Sequence, residues 1–233
     1  MISINWRFVF RAEEILREAT LTVEYTFDNN TLLDSGPLGI NGSGSNYSYI
    51  NSCRVNRCLA LLNNESYIQA EGLVLLGTSI QSYSFSLWIK PIITTGGTII
   101  HVSQNKTGSG TWCIGMLGFS SLGAIYAHGW MSPSVSVAGP TIAVNVWTHV
   151  AITYSAPNGL RLWINGTQYG SGFAAYNYAA AGEPVFATIG SCLSGCHCAA
   201  GGITSVKYYG YIDEFKLYSR ELSSTDIYNL ANP

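Results

Sequence analysis

Three cysteines and a histidine crowd into C-L-S-G-C-H-C: Cys192, Cys196, His197 and Cys198. Thiolates and an imidazole at such spacing can hold a soft metal, so zinc is the first chemistry to weigh. Zinc sites are usually built from two well-spaced ligand pairs, whereas this chain offers one compact cluster. Its other cysteines, Cys53, Cys58 and Cys113, stand far away in sequence. An even count of six in a charge-poor chain reads instead as disulfides formed in an oxidising compartment. Cys53 and Cys58 are close enough to staple a hairpin or loop, and a bond between them is expected. Cys113 is expected to pair with one of Cys192, Cys196 or Cys198, and the remaining two with each other.

Carboxylates are the second chemistry. Glycoside hydrolysis needs two of them about 5–9.5 Å apart. On a strand that means i, i+2 or i, i+4 spacing, because alternate residues share a face. The close acidic pairs here, Glu13-Glu14 and Asp213-Glu214, are adjacent, and on a strand Asp213 and Glu214 point to opposite faces. A glycoside hydrolase would therefore require acids converging from distant segments. The nucleophile elbow G-x-S-x-G is missing. His101 and His128 lie on predicted strands without neighbouring acids, and His149, in W-T-H-V, is assigned a hydrogen bond within the sheet. None is read as catalytic, and no enzyme is predicted.

Apolar residues make up 47% of the 233 positions and charged ones 10%, against about 25% charged in an average soluble domain. Such a surface must be solvated by something other than charge, or be covered by partners. The net charge of −2 gives no electrostatic reason for nucleic-acid binding. No apolar run approaches the ~18 residues of a membrane span. Sugars are the alternative solvent shell. N-x-S/T occurs at Asn29, Asn41, Asn46, Asn64, Asn105 and Asn165. With the cysteines, this predicts an extracellular, secreted glycoprotein. Asn5 and Arg7 interrupt any apolar run after Met1, so the chain is read as a mature or partial product.

These side chains need elements to position them. Val23, Tyr25 and Phe27 alternate with polar residues from Leu21 onward, and similar runs follow at 83–91, 98–103, 112–117, 124–128, 147–154, 160–167, 186–190 and 208–218. Asn165-Gly166 is a hairpin turn signal. The stretch from 28 to 51 reads as an Asn/Gly/Ser-rich loop. Ser223 or Ser224 is placed to cap a short C-terminal helix. Many short strands between turns predict an all-β sandwich. Residues 1–22 stand apart as an N-terminal arm before a domain over 23–233. Ile2, Ile4, Trp6, Phe8 and Phe10 alternate as a half-buried strand, and 11–19 carries a short helical pattern. The strand can pair within its own domain or with a neighbouring molecule. In the second case it predicts self-association into an oligomer or filament.

The runs F-S-L-W-I-K-P, W-T-H-V-A-I-T-Y, L-R-L-W-I-N-G-T and G-Y-I-D-E-F-K-L-Y-S-R-E-L-S-S-T-D-I follow one another in order. Together they resemble the laminin G-like domains of the concanavalin A-like superfamily. The resemblance implies a jelly roll of two antiparallel sheets, in a module acting by adhesion, sugar binding or assembly. In similar domains an acid after the first strand and one in the last strand bind calcium; here these are Asp28 and Asp213. Hard oxygen ligands suit that ion. Trp130, Tyr176 and Tyr178, in loops, are the candidate stacking platforms for a sugar. The reading is a non-catalytic module that works by association, with a calcium-dependent lectin as the alternative. Its partners would be copies of itself, glycans or other extracellular proteins.

Overall fold

A computed structural model describes residues 19–130, 134–170 and 178–233. The arm strand Ile2–Phe10 and nearly all of the helical pattern at 11–19 lie outside the described residues, as does Tyr176. The first strands are β1 (Leu21–Tyr25), β2 (Ser43–Ser45), β3 (Ser48–Asn51), β4 (Arg57–Leu61) and β5 (Tyr67–Leu73). Next come β6 (Tyr83–Pro91), β7 (Gly97–Ser103), β8 (Cys113–Phe119), β9 (Ala124–Trp130) and β10 (Ser134–Thr141). The remainder are β11 (Thr148–Ser155), β12 (Gly159–Ile164), β13 (Thr167–Tyr169), β14 (Val185–Ile189) and β15 (Gly210–Tyr218). They build two antiparallel sheets. One runs β13-β12-β11-β6-β15-β4-β3, with β1 beside β15; the other runs β10-β9-β8-β7-β14-β5-β2. This is the expected all-β sandwich.

Period-2 alternation does the sorting. Tyr83, Phe85, Leu87 and Ile89 of β6, with Val150, Ile152 and Tyr154 of β11, face inward. They meet Ile68, Ile100, Val102, Met116, Ile125 and Ile189 from the other sheet in one apolar cluster. Asn165 and Gly166 both adopt positive φ (48° and 81°), as a two-residue type I′ hairpin requires. Ser223 caps the helix Ser224–Ala231 through a capping box closed by Asp226.

Six strands lie outside the runs read from the sequence, β4 and the three-residue β13 among them. β2 and β3 lie in what reads as loop. β10 contains Gly139 and Pro140, which suit its place at a sheet edge but mask its pattern. β5 carries a buried Gln69, whose Nε2 donates to Thr188 Oγ1 (2.8 Å) and to the Lys106 carbonyl (3.1 Å).

Both outer faces are partly covered by the chain itself. Over the seven-stranded sheet lies the segment 191–207, bridged to β8 by Cys113–Cys198 and by a hydrogen bond from Gly115 N–H to the Ala199 carbonyl (2.8 Å). The contact is close enough that a Cβ on Gly202 would stand 2.3 Å from the Tyr126 ring. Over the eight-stranded sheet, Leu222 and Ile227 of the C-terminal segment pack on Ala151, Trp163 and Tyr218. No helix among the described residues is long and apolar enough to cross a membrane.

Candidate ligand-binding face

Cys53–Cys58 closes as expected, with Cα atoms 5.6 Å apart. The loop it ties lies over the outer face of β15 and β6. Asp213, fully buried, accepts from Val55 N–H at Oδ2 and from Glu214 N–H at Oδ1, both at 2.9 Å. Asp28 accepts from Arg57 N–H and from Asn56 Nδ2, both at 3.1 Å. The two predicted metal residues are thus brought under one loop. Each of their four oxygens faces an N–H donor, and among the described residues neither belongs to a group of three or more metal-ligating side chains. Calcium needs six or more oxygen ligands. This donor-lined pair does not fit it; the carboxylates hold the loop. Burial, with the charges of Glu214 and Asp28 adding, pushes Asp213 up to about 7 against the pull of the Val55 N–H.

The strand expectation fails at one point. A bulge between Asp213 and Lys216 places Glu214 at φ 50° and breaks the alternation. Phe215 takes the core position, and Glu214 Oε2 accepts from Lys216 Nζ (2.8 Å) on the outer side. Asp213 and Glu214 therefore lie on the same face, not opposite ones. Glu24 Oε1 completes the pairing at 3.2 Å.

Beside this loop three cations lie on three rings. The Arg54 guanidinium lies 4.3 Å from the centre of the Trp88 ring. Trp88 in turn meets the His149 ring edge-on at 5.4 Å. Lys90 Nζ is 5.7 Å from the Tyr211 ring, and Lys207 Nζ is 3.7 Å from that of Tyr209 while donating to the Leu61 carbonyl. Tyr211 and Lys90 are cross-strand partners and so share a face, as do Asp213 and Trp88. Tyr208 and Ile212 are buried in the core and Tyr211 lies on the outer side of β15, while Lys207 and Tyr209 precede that strand, Lys207 bridging Thr98 of β7. Tyr209, Tyr211, Lys90, Lys207 and Arg54 are all half-buried. Burial lowers Lys207 to about 8. This row is absent from the sequence expectations, because the signal is a register and not a motif.

The predicted sugar platforms fare unevenly. Trp130 ends β9 and is 37% exposed. Tyr178 is buried: its hydroxyl donates to the Leu76 carbonyl (2.8 Å) and its N–H to the Tyr154 hydroxyl (2.6 Å). It is a core residue and cannot stack on a ligand. His149 Nε2 is 2.9 Å from Ser86 Oγ, in the structural role expected. The cysteine cluster resolves into Cys113–Cys198 and Cys192–Cys196, within the expected pattern. All six sequon asparagines are exposed.

No curated protein sequence matches the chain significantly. Among solved structures, domain 4 of AbnA, a GH43 extracellular arabinanase from Geobacillus stearothermophilus in complex with arabinotriose, is similar with a TM-score of 0.62 and 24% identity, over 91% of this chain and 98% of that one. The binding domain of Paraclostridial Mosquitocidal Protein 1 is similar at TM-score 0.66 and 15% identity, over 92% of this chain. The botulinum neurotoxin serotype D ligand-binding domain, in complex with N-acetylneuraminic acid, is similar at 0.65 and 18%, over 94%. The chain spans about half the length of these two toxin domains, 52% in each case. At these identities the likeness is one of fold. A laminin G family profile matches residues 62–228, from just after β4 to within the C-terminal helix, and so takes in β6 and β15. Over that span the chain belongs to the concanavalin A-like lectin/glucanases superfamily.

Proposed function

We propose that this chain is a non-catalytic, secreted glycan-binding module that takes its ligand on the outer face of the eight-stranded sheet. One observation carries the reading: Tyr209 and Tyr211 stand half-exposed at alternate positions along the chain, with polar groups of the neighbouring strands beside them. Flat rings held by a sheet stack on the apolar faces of sugar rings at little entropic cost. The outer face of the opposite sheet is partly covered by 191–207. Two of the similar structures hold glycans, arabinotriose in one and N-acetylneuraminic acid in the other, which supports the same reading. Binding on this face needs no calcium, since Asp28 and Asp213 serve the loop.

The test is affinity electrophoresis in gels of neutral and acidic polysaccharides, with and without chelator. Tyr209→Ala with Tyr211→Ala should abolish retardation while the melting temperature stays near that of the parent. Trp130→Ala should leave it unchanged. Loss of binding on Trp130→Ala alone would move the site to the rim, and loss on chelation would restore a calcium role.

A second reading, self-association through the arm, is favoured by an open groove of about 250 Å³ lined by Ala19, Leu21, Leu38, Ile40, Leu73 and Val74. Leu38 and Val74 are 60% and 62% exposed there, and the groove opens beside Ala19, where the arm leaves the domain. An apolar strand from a second molecule would cover them.

A further inference from the structure

Cations are scarce in this chain, so where they lack a counter-ion is informative. Among the described residues, Lys106 pairs with Glu71, Arg161 with Glu221, Lys216 with Glu24 and Glu214, and Arg220 with Asp226. The described cations that form no ion pair are Arg54, Arg57, Lys90 and Lys207. Arg57 donates from its guanidinium to Asn30 and from its backbone to Asp28. The other three are the ones lying on Trp88, Tyr211 and Tyr209.

Among the described residues, three cations without an ion pair thus lie around β6 and the start of β15, in a molecule whose net charge is −2. A ring attracts a cation weakly and leaves its N–H donors free for an anion. It also restricts the long side chain, so part of the ordering cost is met before a ligand arrives. None of the six sequons lies on β6 or β15, so attached glycans would not start from the strands of Trp88, Lys90 and Tyr211. A neutral saccharide would use the tyrosines but would give no role to three unpaired cations.

We infer that the row binds an acidic polysaccharide, its carboxylates or sulfates meeting Arg54, Lys90 and Lys207 while its sugar rings lie against Tyr209 and Tyr211. The inference rests on the glycan-binding reading and adds the charge class of the ligand. Phosphodiesters could also pair with such cations, but paired cysteines and exposed sequons suit an extracellular polymer.

The experiment measures binding of the full chain to four probes across a salt series: polygalacturonate, dextran sulfate, neutral dextran and an oligothymidylate. Polygalacturonate or dextran sulfate should bind at least tenfold more tightly than dextran, and whichever binds identifies the anion. Lys90→Gln with Lys207→Gln should reduce that affinity about tenfold or more and flatten its salt dependence. Lys90→Arg with Lys207→Arg should restore most of it, and Lys106→Gln, on another surface, should change nothing. Equal binding of dextran and the acidic polymers, lost with the tyrosines but not with the lysines, would overturn the charge inference and leave the glycan reading standing. Failure of every saccharide would overturn both. Oligothymidylate binding with the same lysine dependence would assign the row to nucleic acid instead.

Discussion

Burial of His149 and of Asp213 acts on pH dependence in opposite directions. Burial, with Lys216 and Arg54 nearby, lowers His149 to about 3. Between there and the unfolded value of about 6.5 only the unfolded chain takes the proton, so this residue destabilises the fold as pH falls. Asp213 is raised to about 7. Between the ordinary carboxyl range and 7 the folded chain binds the proton and the unfolded one does not, so this residue stabilises the fold as pH falls. Each slope approaches about 1.4 kcal/mol per pH unit. The two should largely cancel from pH 6.5 to 4.5. Urea titrations of Asp213→Asn should show stability dropping across that window, and those of His149→Gln should show it rising. Parallel slopes in both variants would mean that neither group titrates as its surroundings imply. The sequence displayed both residues but not their burial, and the bulge that puts Glu214 beside Asp213 leaves no trace in the alternation.

Elements with clean alternation were legible. β6, β11 and β15 were located to within about two residues, because their apolar side chains recur on one face. β5 and β10 were not, because buried Gln69 breaks one pattern and Gly139-Pro140 the other. Disulfide partners were legible to the level of the cluster, and only packing of 191–207 across β8 selects Cys198 for Cys113. That segment has little apolar anchoring beyond Ile203 and Ala200 against the glycines of β8. Cys113→Ser with Cys198→Ser should therefore cost about 2–4 kcal/mol. Hydrogen exchange should quicken first at 191–207 and the outer-facing amides of β8, while β6 and β11 keep their protection. Unchanged exchange in 191–207 would show that the segment holds without its staple. Ser223→Ala, removing the capping box, should cost about 1 kcal/mol and loosen only the C-terminal helix.

At the scale of the whole molecule, the sandwich has few charges with which to stay apart from its copies. Exposed Leu38 and Val74 line an apolar groove where the arm leaves the domain. Five large apolar side chains, Ile2, Ile4, Trp6, Phe8 and Phe10, precede Ala19 in the sequence, separated from it by residues 11 to 18. Fully extended, those eight residues reach at most about 28 Å, so the strand can double back on its own groove or enter that of a neighbour. Exchange between molecules is head-to-tail and does not close unless a symmetry intervenes, so it builds a chain of subunits. Glycans at the six exposed sequons would solvate the sides of such an assembly without entering the groove unless Asn41, one residue from Ile40, carries one. Deleting residues 1–18 should then give a folded monomer in sedimentation velocity, with the polysaccharide binding of the outer face intact. Full-length protein should form concentration-dependent oligomers, and Leu38→Asp with Val74→Asp should prevent them. Adding a peptide of residues 1–18 to the truncated chain should restore a stoichiometric complex that the same two substitutions abolish. A full-length protein that remains monomeric at high concentration, with a truncated form that melts much earlier, would place the arm on its own domain.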